Sequence, residues 1–153
     1  MAGGGKIDTL ILAGHGESGS IGLGSGTESE YQKGKELRYD KLDDVSDDLK
    51  TIKESLANDS YVILASCYTG KDPNGLNFVK QLSDKLSNSY IFANTNCVGL
   101  TADKAFKPNA VCVADGKKKW QQSSIVAAKG NAKYDVDRST YKTLMSRSCV
   151  PQK

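Results

Sequence analysis

The order of apolar and amphipathic segments constrains the fold of this chain more than any other feature. The segments Ile7–Ala13 and 61–65 are apolar runs of strand length, and Gly14 closes the first. Such runs are typical of strands that are buried within a parallel sheet. Similar runs at residues 90–93 and 110–114 predict two further strands.

Two amphipathic segments separate the first three predicted strands. After Asp40, apolar residues recur at steps of three and four, on one helical face: Leu42, Val45, Leu49, Ile52 and Leu56. The tripeptide Asp72-Pro73-Asn74 predicts the start of a second helix, with a buried face formed by Leu76, Val79, Leu82 and Leu86. This alternation predicts an α/β fold, a three-layer α/β/α sandwich with a mainly parallel central sheet.

The length and composition fit one domain. The chain has 153 residues, of which 38% are hydrophobic and 25% charged, as in a globular domain with one core. We expect a single domain over residues 1–153 with its core at about 7–114. Asp115-Gly116 predicts a hairpin turn, so residues 115–153 are expected to form a hairpin and a polar tail with a short helix near 140–146.

Charge and hydropathy exclude several classes of partner. The net charge is +3 and aromatic residues make up 7%, without the basic stripe and stacking aromatics of nucleic-acid binders. The apolar run after the N-terminal glycines is short and contains Asp8, unlike a signal peptide or a membrane span. We expect a cytoplasmic protein, or one exported by a route without a classical signal peptide.

A histidine and a cysteine follow the first two predicted strands. His15 is the sole histidine and lies on a Gly-His-Gly turn, and Cys67 ends the second strand. Sites in parallel sheets gather at the carboxyl ends of strands, so both residues are expected on one edge. A cysteine nucleophile needs a base and donors for the oxyanion. We expect Cys67 to attack, His15 to act as acid and base, and the Gly16 backbone N–H to contact the substrate oxygen.

These motifs resemble the caspase, gingipain, clostripain and separase superfamily. An apolar strand ending in His-Gly is followed by a helix and by a second strand ending in Cys, and His15 precedes Cys67 by 52 residues, near the caspase spacing. Residues 15–24 also resemble the HGxxGxhxhG pattern of bacterial caspase-like domains, where h is apolar. The resemblance spans about residues 7–114. It implies a caspase-like α/β sandwich and a His–Cys dyad that cleaves peptide bonds in a protein or peptide substrate, as in a bacterial toxin or effector.

Departures from the caspase pattern keep two other functions open. Caspases read Gln-Ala-Cys-x-Gly, whereas residues 65–70 read Ala-Ser-Cys-Tyr-Thr-Gly, and no acidic specificity element is found. The first alternative is a non-catalytic binding module that keeps the caspase-like fold. The second is a redox-active protein, because a thiol near an imidazole is readily oxidised.

Three other kinds of site fit the residues less well. Residues 14–19 match GxGxxG, but a dinucleotide site needs a helix at the glycines, and the glycine-punctuated run 21–26 favours a short strand or loop. A histidine phosphatase would need an arginine at position 14, where this sequence has glycine, and a second histidine, which it lacks. The sequence contains no CxxC pair, so it does not predict a metal site, and no cofactor is expected.

The remaining cysteines have no predicted role in the site. Four cysteines could pair in a secreted chain, but without an export signal we expect thiols in a reducing compartment. Cys112 is expected in a core strand, Cys97 behind the loop 94–96, and Cys149 in the polar tail.

Overall fold

The computed structural model describes residues 4–23, 36–95, 99–100, 111–112 and 125–135. Strands and helices alternate in its first two thirds, as the apolar pattern predicts. The elements in chain order are β1 (Ile7–Ala13), β2 (His15–Glu17), β3 (Ser20–Gly22), β4 (Glu36–Arg38), a 3-10 helix (Leu42–Val45), α1 (Ser46–Ser55), β5 (Leu56–Ala65), α2 (Asp72–Lys85), β6 (Ser89–Asn94), β7 (Gly99–Leu100), β8 (Val111–Cys112), β9 (Ile125–Lys129) and β10 (Ala132–Tyr134).

A five-stranded mixed sheet forms the centre of the molecule, in the order β1-β5-β6-β9-β10. The first three strands are parallel, as the strand and helix alternation predicts. β9 runs antiparallel to both β6 and β10. The hairpin of β9 and β10 therefore extends the main sheet past residue 114, where the sequence suggested that the core ends.

The fourth strand of the main sheet is not the one that the sequence indicates. The described part of the apolar run 110–114 is β8, which pairs antiparallel with β7 in a separate two-stranded sheet. β9 takes the place beside β6 instead. The predicted turn at Asp115-Gly116 and the predicted helix near 140–146 lie outside the described residues.

The two predicted helices form, with shifted limits. The first predicted helix splits into a 3-10 turn and α1, and Leu56 already begins β5, although it is buried as expected. α2 starts at Asp72 with Pro73 in its first turn. Proline is tolerated there because the backbone N–H groups of a first turn have no acceptor within the helix. Leu76 is only half-buried, because α2 turns Phe78 and Val79 to the sheet.

Both helices cover the same face of the main sheet. Their apolar side chains share one cluster with sheet residues: Leu42, Leu49, Val62, Leu64, Phe78, Val79, Leu82, Leu86, Ile91, Ala93 and Ala128. The opposite face carries Ile63, Phe92 and Ala127 with three tyrosines around them. Among the described residues, no helix is long and apolar enough to cross a membrane.

The first strand is less buried than the sequence suggests. Among the described residues, β1 is an edge strand of the main sheet and pairs with β5 alone. Its Ile7 and Ile11 side chains are 40% and 39% exposed. The prediction of a buried strand was therefore wrong for β1, because an apolar run does not reveal whether its strand lies at the centre or the edge of a sheet.

Candidate active site

The register of β1 and β5 brings the two candidate residues to one edge. Ala13 and Ala65, the last residues of these parallel strands, are direct partners. His15 follows Ala13 by two positions, and Cys67 follows Ala65 by two positions. The chain segments that carry them therefore leave the sheet side by side at its carboxyl edge, where α/β proteins bind ligands.

His15 begins a strand rather than lying on a simple turn. β2 and β3 form an antiparallel hairpin, in which His15 pairs with Gly22, and β4 completes a small three-stranded sheet. Gly19 closes the hairpin with a φ of +78°, a conformation that favours glycine. Because the glycines lead into a hairpin and not into a helix, this segment lacks the helix N-terminus of a dinucleotide site.

The hairpin is bonded to the segment that carries Cys67. The Gly14 N–H donates to the Ala65 carbonyl at 3.4 Å, and the Gly19 N–H donates to the Thr69 carbonyl at 3.1 Å. The Ser18 hydroxyl donates to the Lys71 carbonyl at 2.7 Å. These three bonds hold residues 14–19, the histidine segment, against residues 65–71, the cysteine segment.

A buried hydroxyl pair completes this connection. Thr69 is fully buried, and its hydroxyl donates to the Ser20 carbonyl at 3.0 Å. The Ser66 and Thr69 hydroxyls are also hydrogen-bonded to each other. The Cys67 carbonyl is a second, longer acceptor for the Thr69 hydroxyl, at 3.5 Å. When Thr69 donates to Ser20, Ser66 is the donor in the hydroxyl pair. Thr69 therefore links the residue before Cys67 to the hairpin that carries His15.

Gly16 lies against the cysteine segment without room for a side chain. A Cβ atom on Gly16 would lie 2.4 Å from Thr69 Oγ1, 2.5 Å from the Cys67 carbonyl oxygen and 2.8 Å from Ser66 Cβ. All three distances are shorter than real Cβ contacts. Glycine is thus required at this position by the approach of two backbones.

Exposure differs between the two candidate residues. His15 is exposed and Cys67 is half-buried. Tyr68, the next residue, is 41% exposed and has a φ of 57°, which is uncommon for an aromatic residue. Its carbonyl accepts a hydrogen bond from the Lys71 N–H at 2.9 Å, and the Lys71 ammonium lies 5.4 Å from its ring centroid. Backbone strain of this kind clusters at functional sites.

The far end of the cysteine segment is held by β6. The Gly70 N–H donates to the Asn94 carbonyl at 2.8 Å, and the Asn94 side-chain amide donates to the Leu64 carbonyl at 3.2 Å. Neither Thr69 nor Asn94 is among the site residues predicted from the sequence. The sequence could have indicated Asn94, because this residue ends the third parallel strand at the same sheet edge as Ala13 and Ala65.

A charged pair lies at the end of the small sheet. Arg38 donates from Nε and Nη2 to the two carboxylate oxygens of Asp40, at 2.9 and 3.1 Å. This bidentate bond with the guanidinium lowers the pKa of the Asp40 carboxyl and raises that of Arg38. The carboxylate of Glu36, also on β4, lies 3.6 Å from Arg38, and the Glu36 side chain is almost fully buried.

The described residues hold no cluster of three or more His, Cys, Asp or Glu side chains with metal-ligand geometry. Among the other cysteines, the backbone of Cys112 lies in β8, and the burial expected for it lies outside what is described. Cys97 and Cys149 also lie outside the described residues.

A Thr69→Val substitution is expected to lower the free energy of unfolding by about 1–3 kcal/mol, because it leaves buried hydrogen-bonding groups at Ser20 and Ser66 unpaired. Urea unfolding followed by circular dichroism measures this change. Thr51→Val is the matched control, since the Thr51 hydroxyl bonds the Asp47 carbonyl on an exposed helix surface at 3.1 Å. A loss for Thr69→Val no larger than for Thr51→Val would contradict the assigned link.

Comparison with known sequences places the chain in a family. A family model described as a domain of unknown function, DUF4347, matches residues 1–105, which include His15, Gly16, Cys67 and Asn94. The comparisons with curated proteins and with solved structures found no match. Because the family model covers more than half of the sequence, this chain belongs to the DUF4347 family.

Proposed function

We propose that this protein is a caspase-like cysteine endopeptidase whose nucleophile is Cys67 and whose acid and base is His15. The observation that carries the proposal is the pairing of Ala13 with Ala65. Because of this pairing, the segments that carry His15 and Cys67 leave the main sheet from adjacent positions. The bonds between the β2–β3 hairpin and the segment 66–71 add support, since catalytic groups need a rigid scaffold.

The proposed reaction proceeds through an acyl-enzyme. His15 takes the thiol proton, and the Cys67 sulfur forms a bond with the carbonyl carbon of the scissile peptide. The C–N bond breaks as His15 returns the proton to the leaving amine. Water, deprotonated by His15, then hydrolyses the thioester and releases the new carboxyl terminus and the thiol.

Backbone N–H groups of Gly16 and Cys67 are proposed to hold the oxyanion. Gly14 directs its N–H to the Ala65 carbonyl of β5. This bond holds the start of the β2–β3 hairpin against β5, which supports a Gly16 backbone close to the cysteine segment. A Cβ on Gly16 would lie 2.5 Å from the Cys67 carbonyl oxygen, and this close approach of the two backbones supports one oxyanion site shared by both residues.

A caspase-like sandwich has a third layer, which we include in the proposal. Both described helices lie on one face of the main sheet. On the other face, Ile63, Phe92 and Ala127 are nevertheless at most 8% exposed. Tyr61, Tyr90 and Tyr134 pack against these residues, and an apolar, covered second face is what the proposed three-layer α/β/α arrangement requires.

Cleavage of a peptide pool tests the proposal and the role of His15. The wild-type chain is incubated with peptides from a digested proteome, and new termini are counted by mass spectrometry. We expect His15→Ala to reduce cleavage by about 10²–10⁴-fold, the usual contribution of a general acid and base.

Glu17→Ala is the control for that substitution, because Glu17 is also exposed on β2 and has no part in the proposed chemistry. Equal activity in His15→Ala and Glu17→Ala would refute the dyad. A wild-type chain that releases no new termini would instead favour a non-catalytic binding module.

A further inference from the structure

Asn94 holds both ends of the segment that carries Cys67. Its side-chain amide donates to the carbonyl of Leu64, three residues before Cys67, at 3.2 Å. Its main-chain carbonyl accepts from the N–H of Gly70, three residues after Cys67, at 2.8 Å. Gly70 also packs tightly on β6 and β9, since a Cβ there would lie 2.5 Å from the Val126 side chain. One residue of β6 therefore bonds the chain on both sides of Cys67.

The remaining polar atom of Asn94 is buried and unsatisfied. The residue is 2% exposed, and its Oδ1 atom has no hydrogen-bond partner among the described residues. A buried carbonyl without a donor lowers stability, and such groups are rare in folded proteins. A residue that serves packing alone would avoid this cost with an apolar side chain. Local violations of this kind are expected at functional sites.

We propose that Asn94 is a positioning residue that sets the reactivity of Cys67. Its amide and main-chain carbonyl hold the two ends of the cysteine segment, and its Oδ1 atom accepts a donor from that segment when Cys67 engages a substrate. The inference deepens the proposed peptidase function and rests on it for the identity of the nucleophile.

The substitution Asn94→Asp separates this role from packing. A protonated aspartic acid keeps one donor for the Leu64 carbonyl and one acceptor, as asparagine does, whereas an ionised carboxylate has acceptors only. Asn94 pairs with Ile125 of β9, and the last pair of β5 with β6 joins Leu64 to Ala93; none of these neighbours titrates. The titratable groups of the segment that Asn94 holds are Cys67 and Tyr68. Those next to the segment, in the chain or on the β2–β3 hairpin bonded to it, are Lys71, Asp72, His15 and Glu17.

The readout is the rate at which iodoacetamide alkylates Cys67 in the whole chain, followed by mass spectrometry of the peptide that contains it. Burial at position 94 raises the pKa of the introduced carboxyl above that of a free aspartic acid, so at about pH 4.5 the carboxyl is protonated and the ratio of the Asn94→Asp rate to the wild-type rate is expected to be near one. By about pH 8 the ratio falls about tenfold, because a nearby carboxylate disfavours the thiolate and the bond to Leu64 is lost.

Asn88→Asp is a matched control at the opposite end of β5. The Asn88 amide donates to the Leu56 carbonyl at 3.2 Å, the same kind of bond at the same length. Asn88→Asp is expected to lower the melting temperature while the Cys67 rate stays within about twofold of wild type, the scale of an indirect effect. A ratio for Asn94→Asp that does not change with pH, or that changes equally for Asn88→Asp, would overturn the proposal.

A second pair of variants tests the proposal if the Asn94→Asp chain does not fold. Asn94→Ser and Asn88→Ser shorten the side chains without adding a charge. Slower alkylation of Cys67 in Asn94→Ser alone supports the positioning role, and equal rates in both variants refute it. Because alkylation requires no peptide cleavage, this result is independent of whether the chain proves to be a peptidase.

Discussion

A Cys67→Ala chain is expected to lose at least about 10³-fold of its peptide cleavage, because removal of a nucleophile leaves only substrate binding and the oxyanion donors. The side chain of Cys67 is half-buried, and the substitution removes one sulfur atom while every hydrogen bond of the Thr69 hydroxyl stays in place. The substituted chain is expected to remain folded, because the bonds that hold this segment through Thr69 and Gly70 do not involve the Cys67 sulfur.

Residual cleavage and the melting temperature are measured on the same preparations of wild-type and Cys67→Ala protein. Cleavage that survives at the wild-type rate in a folded Cys67→Ala chain would exclude Cys67 as the nucleophile. Loss of cleavage together with a large fall in melting temperature would show a structural role of the thiol instead.

The second large effect is expected for Gly16→Ala. The new methyl group would lie 2.5 Å from the Cys67 carbonyl oxygen and 2.8 Å from Ser66 Cβ, so the hairpin and the cysteine segment must separate by most of an ångström. A displacement of about 1 Å at a catalytic group lowers the rate by about a hundredfold. Overpacking of this kind also costs about 1–3 kcal/mol of stability.

Gly5→Ala is the matched control for Gly16→Ala, because a Cβ on Gly5 meets no atom within 4 Å. The cleavage rate and the urea midpoint of both variants are compared with wild type. Wild-type cleavage in Gly16→Ala would remove Gly16 from the oxyanion site, and an unchanged urea midpoint would contradict the tight approach of the two segments.

The sequence predicted the parts of the fold that depend on local periodicity. The spacing of Leu42 and Leu49 predicted a helical face, and both residues are buried. The glycine-rich run that contains Ile21 was expected as a short strand or loop, and the structure forms β3 there. The alternation of strands with helices predicted that β1, β5 and β6 are parallel.

Features that depend on distant pairing were not predictable in this way. β9 and β10 are short, and β9 pairs with β6 across about thirty residues, so no local pattern distinguishes them from a surface hairpin. The edge position of β1 depends on which strands pair, and its apolar run reads the same in either place.

The candidate site shows the same division. His15 and Cys67 follow apolar strands directly, so their common sheet edge was evident from the sequence. The link through Thr69 joins residues 49 positions apart, and the hold of Asn94 on Leu64 joins residues 30 positions apart. Such contacts arise only when the tertiary fold has formed, and neither residue type is distinctive for catalysis.

The most direct test of the central claim is covalent labelling with a peptide that carries a chloromethyl ketone. The wild-type chain is treated with a mixture of such peptides, and the modified residue is identified by mass spectrometry. The proposed dyad predicts an adduct on Cys67 that forms much faster than adducts on the other cysteines and that slows strongly in His15→Ala. Labelling spread evenly over the four cysteines, or unaffected by His15→Ala, would contradict the account.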